Sequence, residues 1–254
     1  ARDELDNLGF HFSSTASPGG SGALYLSANN FLDKGQSVLL RDRHWGPYKG
    51  FLENNSLSYD TWPLLPPNGS DQHPFFAKEE FESKLAELCE KQDKVMVWLN
   101  DPAHNPTGLS MSPNGRSVCL ESFVDSALSN PNVGHTLLID SAYSLYANET
   151  HAWGDTIVES LENGLMWPEN LLFSVAISLS KSHTIYGLRT GALVSMHPEK
   201  EVTDRMDTVL CVTARQTWSA TPRVSQHCVS EMHSSEEGGE AVSYTHLTLP
   251  TTLV

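Results

Sequence analysis

Lys181 is the residue whose surroundings most directly indicate chemistry. It closes the segment Ser178-Leu-Ser-Lys181 directly after the apolar run 171–177, and Arg189 follows in Tyr186-Gly-Leu-Arg189. An amine at a strand end, with a hydroxyl before it and a guanidinium after it, suits a Schiff-base lysine beside a phosphate cradle. The segment predicts pyridoxal phosphate chemistry, although taken alone it also fits an exposed, solubilising lysine.

Two segments nearer the N-terminus offer partners for a phosphorylated ring. The run Gly19-Gly-Ser-Gly22 leads into a predicted helix over 23–31, and backbone N–H groups at a glycine-rich helix start can bind phosphate. Trp45 stands at a turn after a predicted strand, where a flat indole can stack on a heteroaromatic ring. Taken singly, the glycine run also describes a flexible turn, and Trp45 a packed core residue.

Polar side chains follow two more of the predicted strands. Asn105 precedes a Pro-Thr-Gly turn, which presents its amide as a donor suited to a ring oxygen. Asp140 ends an apolar run, and a carboxylate buried there would pair with a protonated pyridine nitrogen. Tyr143, shortly after it, can hydrogen-bond the ring hydroxyl. The alternatives are an Asn-Pro turn and an aspartate that caps a helix.

The elements that must position these residues are short β-rich runs that alternate with helical segments. This order is typical of an α/β domain with a mostly parallel sheet. Apolar residues at helical spacing predict a helix over 78–91 and a second one around Val118 and Phe123, and residues 62–69 read as a loop. Ligands of open α/β sheets gather at the carboxyl ends of strands, so we expect the polar residues to share one crevice. The predicted strands are 37–40, 95–99, 136–139, 172–177 and 192–196.

The composition is that of a soluble globular chain with an acidic balance. Of 254 residues, 39% are hydrophobic and 19% charged, and the formal net charge is -15. This charge disfavours nucleic acid and anionic membranes as partners, because phosphate surfaces attract basic patches. No apolar run approaches the length of about 18 residues that a membrane helix needs. Neither the histidines nor the four cysteines have metal-ligand spacing, so we predict no metal site, reduced thiols and a cytoplasmic enzyme.

Taken in order, these residues resemble the class I aminotransferases of the aspartate and aromatic amino acid group, which have pyridoxal-phosphate fold type I. The likeness spans about residues 17 to 223. It implies the three-layer large domain of that fold, with helices on both faces of a mixed sheet, and pyridoxal 5'-phosphate as cofactor. The roles that it implies are the Schiff base for Lys181, the pyridine nitrogen for Asp140, the ring oxygen for Asn105 and Tyr143, stacking for Trp45, and the phosphate for Gly20, Ser21, Ser178 and Arg189.

The resemblance also implies a reaction and its partners. The reaction would move an amino group between an L-amino acid of aspartate or aromatic type and a 2-oxo acid such as 2-oxoglutarate, in a homodimer. Arg215 resembles the arginine that reaches across the dimer interface to the distal carboxylate of a dicarboxylic substrate, and it fits an ordinary surface arginine as well. Two other functions share most of these residues: a carbon-sulfur lyase of the same fold, and the cofactor-sensing domain of a transcriptional regulator.

Members of this family also carry pieces that have no counterpart in the sequence. These are an N-terminal arm with a phosphate-binding tyrosine and a C-terminal small domain whose arginine grips the substrate α-carboxylate. We therefore expect residues 1–233 to be an incomplete large domain, truncated at both ends, and a poor enzyme on its own. Residues 234–241 form an acidic, Gly-rich stretch that we expect to be poorly ordered. Residues 242–254 resemble a translated transposase adapter, which predicts a non-native tail.

Overall fold

A seven-stranded sheet with helices on both faces is built by the described residues of this computed structural model, 2–67, 69, 75–147, 149 and 151–234. Within these ranges no helix is long and apolar enough to cross a membrane. The acidic stretch beyond Ser234 and the adapter-like tail lie outside the described residues.

The strands are β1 His11–Pro18, β2 Ser37–Arg41, β3 Ser58–Trp62, β4 Lys94–Asn100, β5 Gly134–Asp140, β6 Leu171–Ser178 and β7 Thr190–His197. The helices are α1 Arg2–Asn7, α2 Gly19–Asn30, α3 Tyr48–Asn54, α4 Lys78–Lys91, α5 Pro113–Ser129, α6 Ala152–Glu162, α7 Leu179–Ser182, α8 Lys200–Thr217 and α9 Arg223–Ser234.

The strand order is β1-β7-β6-β5-β4-β2-β3. Strands β6, β5, β4, β2 and β3 run parallel, and β7 lies antiparallel to both of its neighbours. The α/β class with a mostly parallel mixed sheet is therefore confirmed. Because the parallel strands end at the same edge, the residues that close them, among them Asn100, Asp140 and Ser178, are brought to one side of the sheet.

Apolar side chains cover both faces of the sheet and form two cores. On β5, Leu137 and Ile139 pack into one core, and Leu138 packs into the other. The first core is completed by α4, α5 and α6, and the second by α2, α3 and α8. Central strands buried on both faces read as continuous apolar runs, which is why the sequence predicts them well.

All five predicted strands are present, and nearly all of their ends lie one or two residues beyond the predicted ones. Helix α4 has the predicted bounds. Two strands were missed. β1 is a polar edge strand with the sequence HFSSTASP, and β3 is short and mostly half-buried. Trp62 corrects the predicted loop 62–69, because it pairs with Arg41 as the last residue of β3 and is buried.

Helix α2 also begins earlier than predicted, at Gly19 instead of residue 23. Glycine has weak helix propensity, but this first turn packs against β6 and β7, and the tertiary contact outweighs the propensity.

Substitution of Leu138 tests the two-sided core. Its side chain is fully buried in the centre of β5. We expect Leu138→Ala to lower the free energy of unfolding by about 2–5 kcal/mol, because a cavity remains beside rigid neighbours. The matched control is Leu128→Ala on α5, where the side chain is 47% exposed and the change should stay within about 0.5 kcal/mol. Urea unfolding of both variants measures the difference, and equal losses would contradict the assignment of the core.

Candidate active site

A cavity of about 290 Å³ opens where the parallel strands end. Nine of the ten residues singled out in the sequence line it, although they are spread from residue 20 to residue 189. Arg215 lies elsewhere, exposed in the last turn of α8. The geometry brings the nine together, and their individual roles remain predictions. The lining residues are Gly20, Ser21, Leu24, Trp45, Asn100, Asn105, Asp140, Ala142, Tyr143, Ser178, Ser180, Lys181, Tyr186 and Arg189.

Asp140 supplies a buried carboxylate to this cavity. It ends β5 with only 5% of its surface exposed. One carboxylate oxygen accepts the Tyr48 hydroxyl at 2.6 Å, and the other accepts the Ala142 N–H at 3.1 Å. Burial raises the pKa of Asp140, while these two hydrogen bonds act in the opposite direction. All these partners are neutral, so a cation placed on the cavity side would stabilise the ionised carboxylate.

Tyr48 fixes the position of that hydrogen bond. It begins α3 and is 1% exposed, with its ring packed edge-on against Trp98 at 5.2 Å and Trp45 at 5.7 Å between centroids. Burial, followed by the neighbouring Asp140 charge, raises the pKa of Tyr48 well above its ordinary value. The phenol therefore keeps its proton, and Asp140 is the acceptor. The same packing holds the half-buried Trp45 at the cavity.

Asn100 links the ends of two strands to the loop that carries Asn105. It pairs with Asp140 in the β4–β5 register, and its side-chain amide donates to the Asp140 carbonyl at 2.8 Å. Its side-chain oxygen accepts the Asn105 backbone N–H at 2.5 Å. Within the described ranges the side-chain amide of Asn105 has no hydrogen-bond partner, which leaves it available to a ligand in the cavity.

The first turn of α2 forms an anion-binding corner of the cavity with Ser178 and Arg189. No side chain of the described residues caps this turn, so its N–H groups and the positive end of the helix dipole face the cavity lined by Gly20 and Ser21. A Cβ atom at Gly20 would lie 2.9 Å from the Ser178 Cβ. Glycine is thus required for the helix start to approach the end of β6 this closely.

Arg189 is held in place by its neighbours at this corner. Its guanidinium donates to the Pro18 carbonyl at 3.0 Å, to the Tyr186 carbonyl at 2.8 Å and to the Ser180 hydroxyl at 3.1 Å. Its backbone has φ 50° and ψ 54°, a left-handed conformation that costs a non-glycine residue about 1–3 kcal/mol. The three hydrogen bonds offset this strain and aim a cation at the start of α2.

Lys181 supplies an exposed amine at the cavity mouth. It lies on the short helix α7, and its carbonyl accepts the Tyr146 hydroxyl at 2.8 Å. The Lys181 ammonium lies 5.0 Å from the centroid of the Tyr186 ring, and the Arg189 guanidinium lies 5.2 Å from the same ring. Tyr186 therefore contacts both cations through cation–π interactions.

The cavity thus combines an amine nucleophile, an anion-binding corner and a buried carboxylate that lacks a cationic partner in the described part of the chain. Half-buried Tyr143 and the Asn105 amide add two neutral donors. Such a set suits a phosphorylated heteroaromatic ring with a protonated nitrogen and a reactive aldehyde.

Sequence reasoning missed Asn100, Tyr48, Ser180 and Tyr186. A signal existed for Asn100, since it is a polar residue at the end of the apolar run 95–99, the same feature that marked Asp140. Tyr48 had no such signal, because its role depends on a hydrogen bond to Asp140, which is distant in the chain.

The chain matches proteins of known family along most of its length. The sequence model for aminotransferase class I and II matches residues 12–246. The cytoplasmic aspartate aminotransferase of Schizosaccharomyces pombe is 25% identical over 229 residues, which are 88% of this chain and 51% of that relative.

Solved structures show the same architecture. The aminotransferase from Anaerococcus prevotii superimposes with a TM-score of 0.82 at 26% identity, over 93% of this chain and 55% of that one. The aromatic-amino-acid aminotransferase from Burkholderia pseudomallei, solved covalently bound to pyridoxal phosphate, gives a TM-score of 0.71 at 21% identity, over 95% and 56%. The chain spans about half the length of the relatives it matches.

The raised pKa of Asp140 predicts a pH dependence of stability in the cofactor-free protein. A raised pKa means that the folded state binds the proton more tightly than the unfolded state, so stability falls as pH rises through that pKa. Asp140→Asn has no such proton to lose. We therefore expect the unfolding free energy of the unsubstituted protein to fall relative to that of the variant as the pH rises above about 4, the ordinary pKa of an aspartate.

Tyr48→Phe should widen this pH window, because it removes a hydrogen bond that lowers the pKa of Asp140. Urea unfolding at a series of pH values measures both effects. A constant difference between the unsubstituted protein and Asp140→Asn across the series would contradict the raised pKa.

Proposed function

Since the chain belongs to the class I and II aminotransferase family, a family of pyridoxal phosphate enzymes, we propose that it binds this cofactor in the cavity and transfers an amino group between an L-amino acid and a 2-oxo acid. The observation that carries this proposal is Asp140. A carboxylate buried among neutral partners, lining a cavity that also holds Lys181 and Arg189, has the chemistry that a protonated pyridine requires.

The anion-binding corner fits the phosphate of the cofactor. Gly20 and Ser21 would offer N–H groups at the positive end of α2, and Ser178 would offer its hydroxyl. Arg189 would contribute charge-assisted hydrogen bonds from a guanidinium already ordered by three neighbours. The lack of a Cβ at Gly20 lets the start of α2 approach Ser178 closely, which supports this assignment.

The remaining lining residues fit the ring. Asp140 would meet the pyridine nitrogen, and the unpartnered amide of Asn105 and the hydroxyl of Tyr143 would donate to the ring oxygen. A donor to that oxygen stabilises its charged form. Trp45, held by Tyr48, would stack on the ring face.

When bound, the cofactor supplies an aldehyde that exchanges amines and a protonated ring that withdraws electrons. Lys181 Nζ would hold the cofactor through its aldehyde, and as a free amine it would accept the proton from the substrate Cα as general base. Asp140 holds the proton on the ring nitrogen. Asn105 and Tyr143 keep the ring oxygen in its charged form.

Substrates, partners and compartment follow from the same proposal. An amino donor of aspartate or aromatic type is supported by the aspartate and aromatic relatives, and the proposed acceptor is a 2-oxo acid such as 2-oxoglutarate. A homodimer is supported by the exposed apolar surface of Tyr186 and Leu188 beside the cavity, 65% and 51% accessible. A cytoplasmic location is supported by the cytoplasmic relative from S. pombe.

The proposed role of Lys181 is tested by cofactor titration. The chain should develop the absorbance band of covalently attached cofactor, and Lys181→Ala should lack that band while it still binds cofactor through the phosphate contacts. The matched control is Lys200→Ala, an exposed lysine at the start of α8, which should titrate like the unsubstituted chain. A persistent covalent band in Lys181→Ala would overturn the assignment.

Incubation with an amino acid and a 2-oxo acid identifies the reaction. Transamination converts the added 2-oxo acid into its amino acid without release of ammonia, whereas a lyase would release ammonia and pyruvate. Asp140→Ala should bind the cofactor and turn over at least about 100-fold more slowly, because an unprotonated ring is a weaker electron sink. Near-normal turnover would contradict the role of Asp140.

A further inference from the structure

A second buried carboxylate, Asp101, lies behind the cavity and outside the set of lining residues. It follows Asn100 at the end of β4 and opens the loop that carries Asn105 to α5. We propose that Asp101 is a positioning residue, which fixes this loop so that the Asn105 amide points at the cofactor ring. This inference rests on the proposed function.

The Asp101 carboxylate closes the base of the loop. It is 0% exposed, and one of its oxygens accepts the backbone N–H of Met111 at 2.8 Å, across the whole loop. The other oxygen accepts the indole N–H of Trp153 at 2.9 Å. Trp153 belongs to α6, so the carboxylate ties the loop to a helix that packs on the sheet.

Arg116 closes the same base from the other side. It is 2% exposed on α5, lies 3.7 Å from the Asp101 carboxylate, and donates to the Met111 carbonyl at 2.6 Å. It also contacts the carboxylate of Glu149. Met111 is therefore held through its N–H by Asp101 and through its carbonyl by Arg116. These two hydrogen bonds fix the position of the end of the loop.

Backbone and side-chain hydrogen bonds transmit this position to the tip. Ala103 N–H donates to the Ser110 hydroxyl at 2.9 Å, and His104 N–H donates to the Leu109 carbonyl at 2.8 Å. Asn105 is next in the chain, and its own N–H is held by Asn100. The paired sides of the loop form a rigid stem, so a shift at Asp101 displaces the Asn105 side chain.

The charge of Asp101 also compensates buried arginines, so Asp101 itself is a poor choice for substitution. Burial raises the pKa of Asp101, and the neighbouring Arg41 and Arg116 act against this shift. Removing the carboxylate would leave the buried guanidinium groups of Arg41 and Arg116 without its negative charge. Loss of folding would then hide any effect on the position of Asn105. Trp153→Phe is a milder change, because it deletes one hydrogen bond to Asp101 and keeps a ring in the same core.

The experiment compares Trp153→Phe, Asn105→Ala and the double variant, all in the full chain. The matched control is Trp167→Phe, which also deletes one indole hydrogen bond, to the Leu171 carbonyl at 3.0 Å, at the far end of β6. Two quantities are measured by absorbance: the dissociation constant for pyridoxal phosphate and the pH midpoint of the covalent cofactor band. Thermal unfolding of the cofactor-free variants reports folding separately.

We expect Trp153→Phe to weaken cofactor binding by about three- to tenfold, the effect of one lost hydrogen bond. It should also raise the pH midpoint, as Asn105→Ala should, because a misplaced donor stabilises the charged ring oxygen less well. In the Asn105→Ala background Trp153→Phe should have no further effect on either quantity, since residues that act through one contact are not additive. Trp167→Phe should change affinity by less than about twofold.

The outcomes separate this inference from the proposed function. If Asn105→Ala binds cofactor with unchanged affinity and midpoint, the role of Asn105 fails and the inference fails with it. If Asn105→Ala weakens binding but Trp153→Phe does not, or if the two effects add fully in the double variant, only the inference is overturned. A pH midpoint that moves equally in Trp167→Phe would overturn it as well.

Discussion

The arrangement of the cavity depends on one constraint, which is that the Asp140 carboxylate is buried among neutral groups. An ionised carboxylate away from water must be compensated, and here a tyrosine hydroxyl and a backbone N–H do so only in part. The parallel register sets Asn100 beside Asp140, and the packing of Tyr48 against Trp98 and Trp45 aims the phenol at it. The same contacts that hold the carboxylate also place Asn105 and Trp45 at the cavity.

The two parts of the cavity are built in different ways. The anion-binding corner is formed mainly by the backbone of α2, which must approach β7 closely. A Cβ at Gly191 on β7 would lie 2.5 Å from the Gly19 carbonyl carbon. Around Asp140 the cavity is formed mainly by side chains, and Tyr48 and Asn100 hold Asp140, Trp45 and the Asn105 backbone in place. The first part therefore tolerates almost no added volume, whereas the second depends on hydrogen-bond partners that a sequence motif does not include.

How much the sequence predicts follows from this difference. The central strands are apolar on both faces, and the residues that line the cavity lie in short motifs with turn-forming or strand-ending neighbours, so both could be located from the sequence. β1 was missed because its polar residues lie at the sheet edge, where burial alternates weakly. Tyr48 and Asp101 were missed because their partners, Asp140 and Trp153, are distant in the chain and meet them only through tertiary packing. Arg215 was included on resemblance alone, and it lies outside the cavity.

The pairing of β1 with β7 has a consequence for how the chain is made. Pro18 pairs with Thr190 and His11 with His197, so β1 leaves the ribosome roughly 170 residues before the strand that it pairs with. Until then β1 lacks the neighbour that holds it in the sheet, and the start of α2 lacks the Arg189 guanidinium that binds the Pro18 carbonyl. Contacts between such distant residues form late and slowly. The anion-binding corner can therefore be completed only after β7 and Arg189 have emerged.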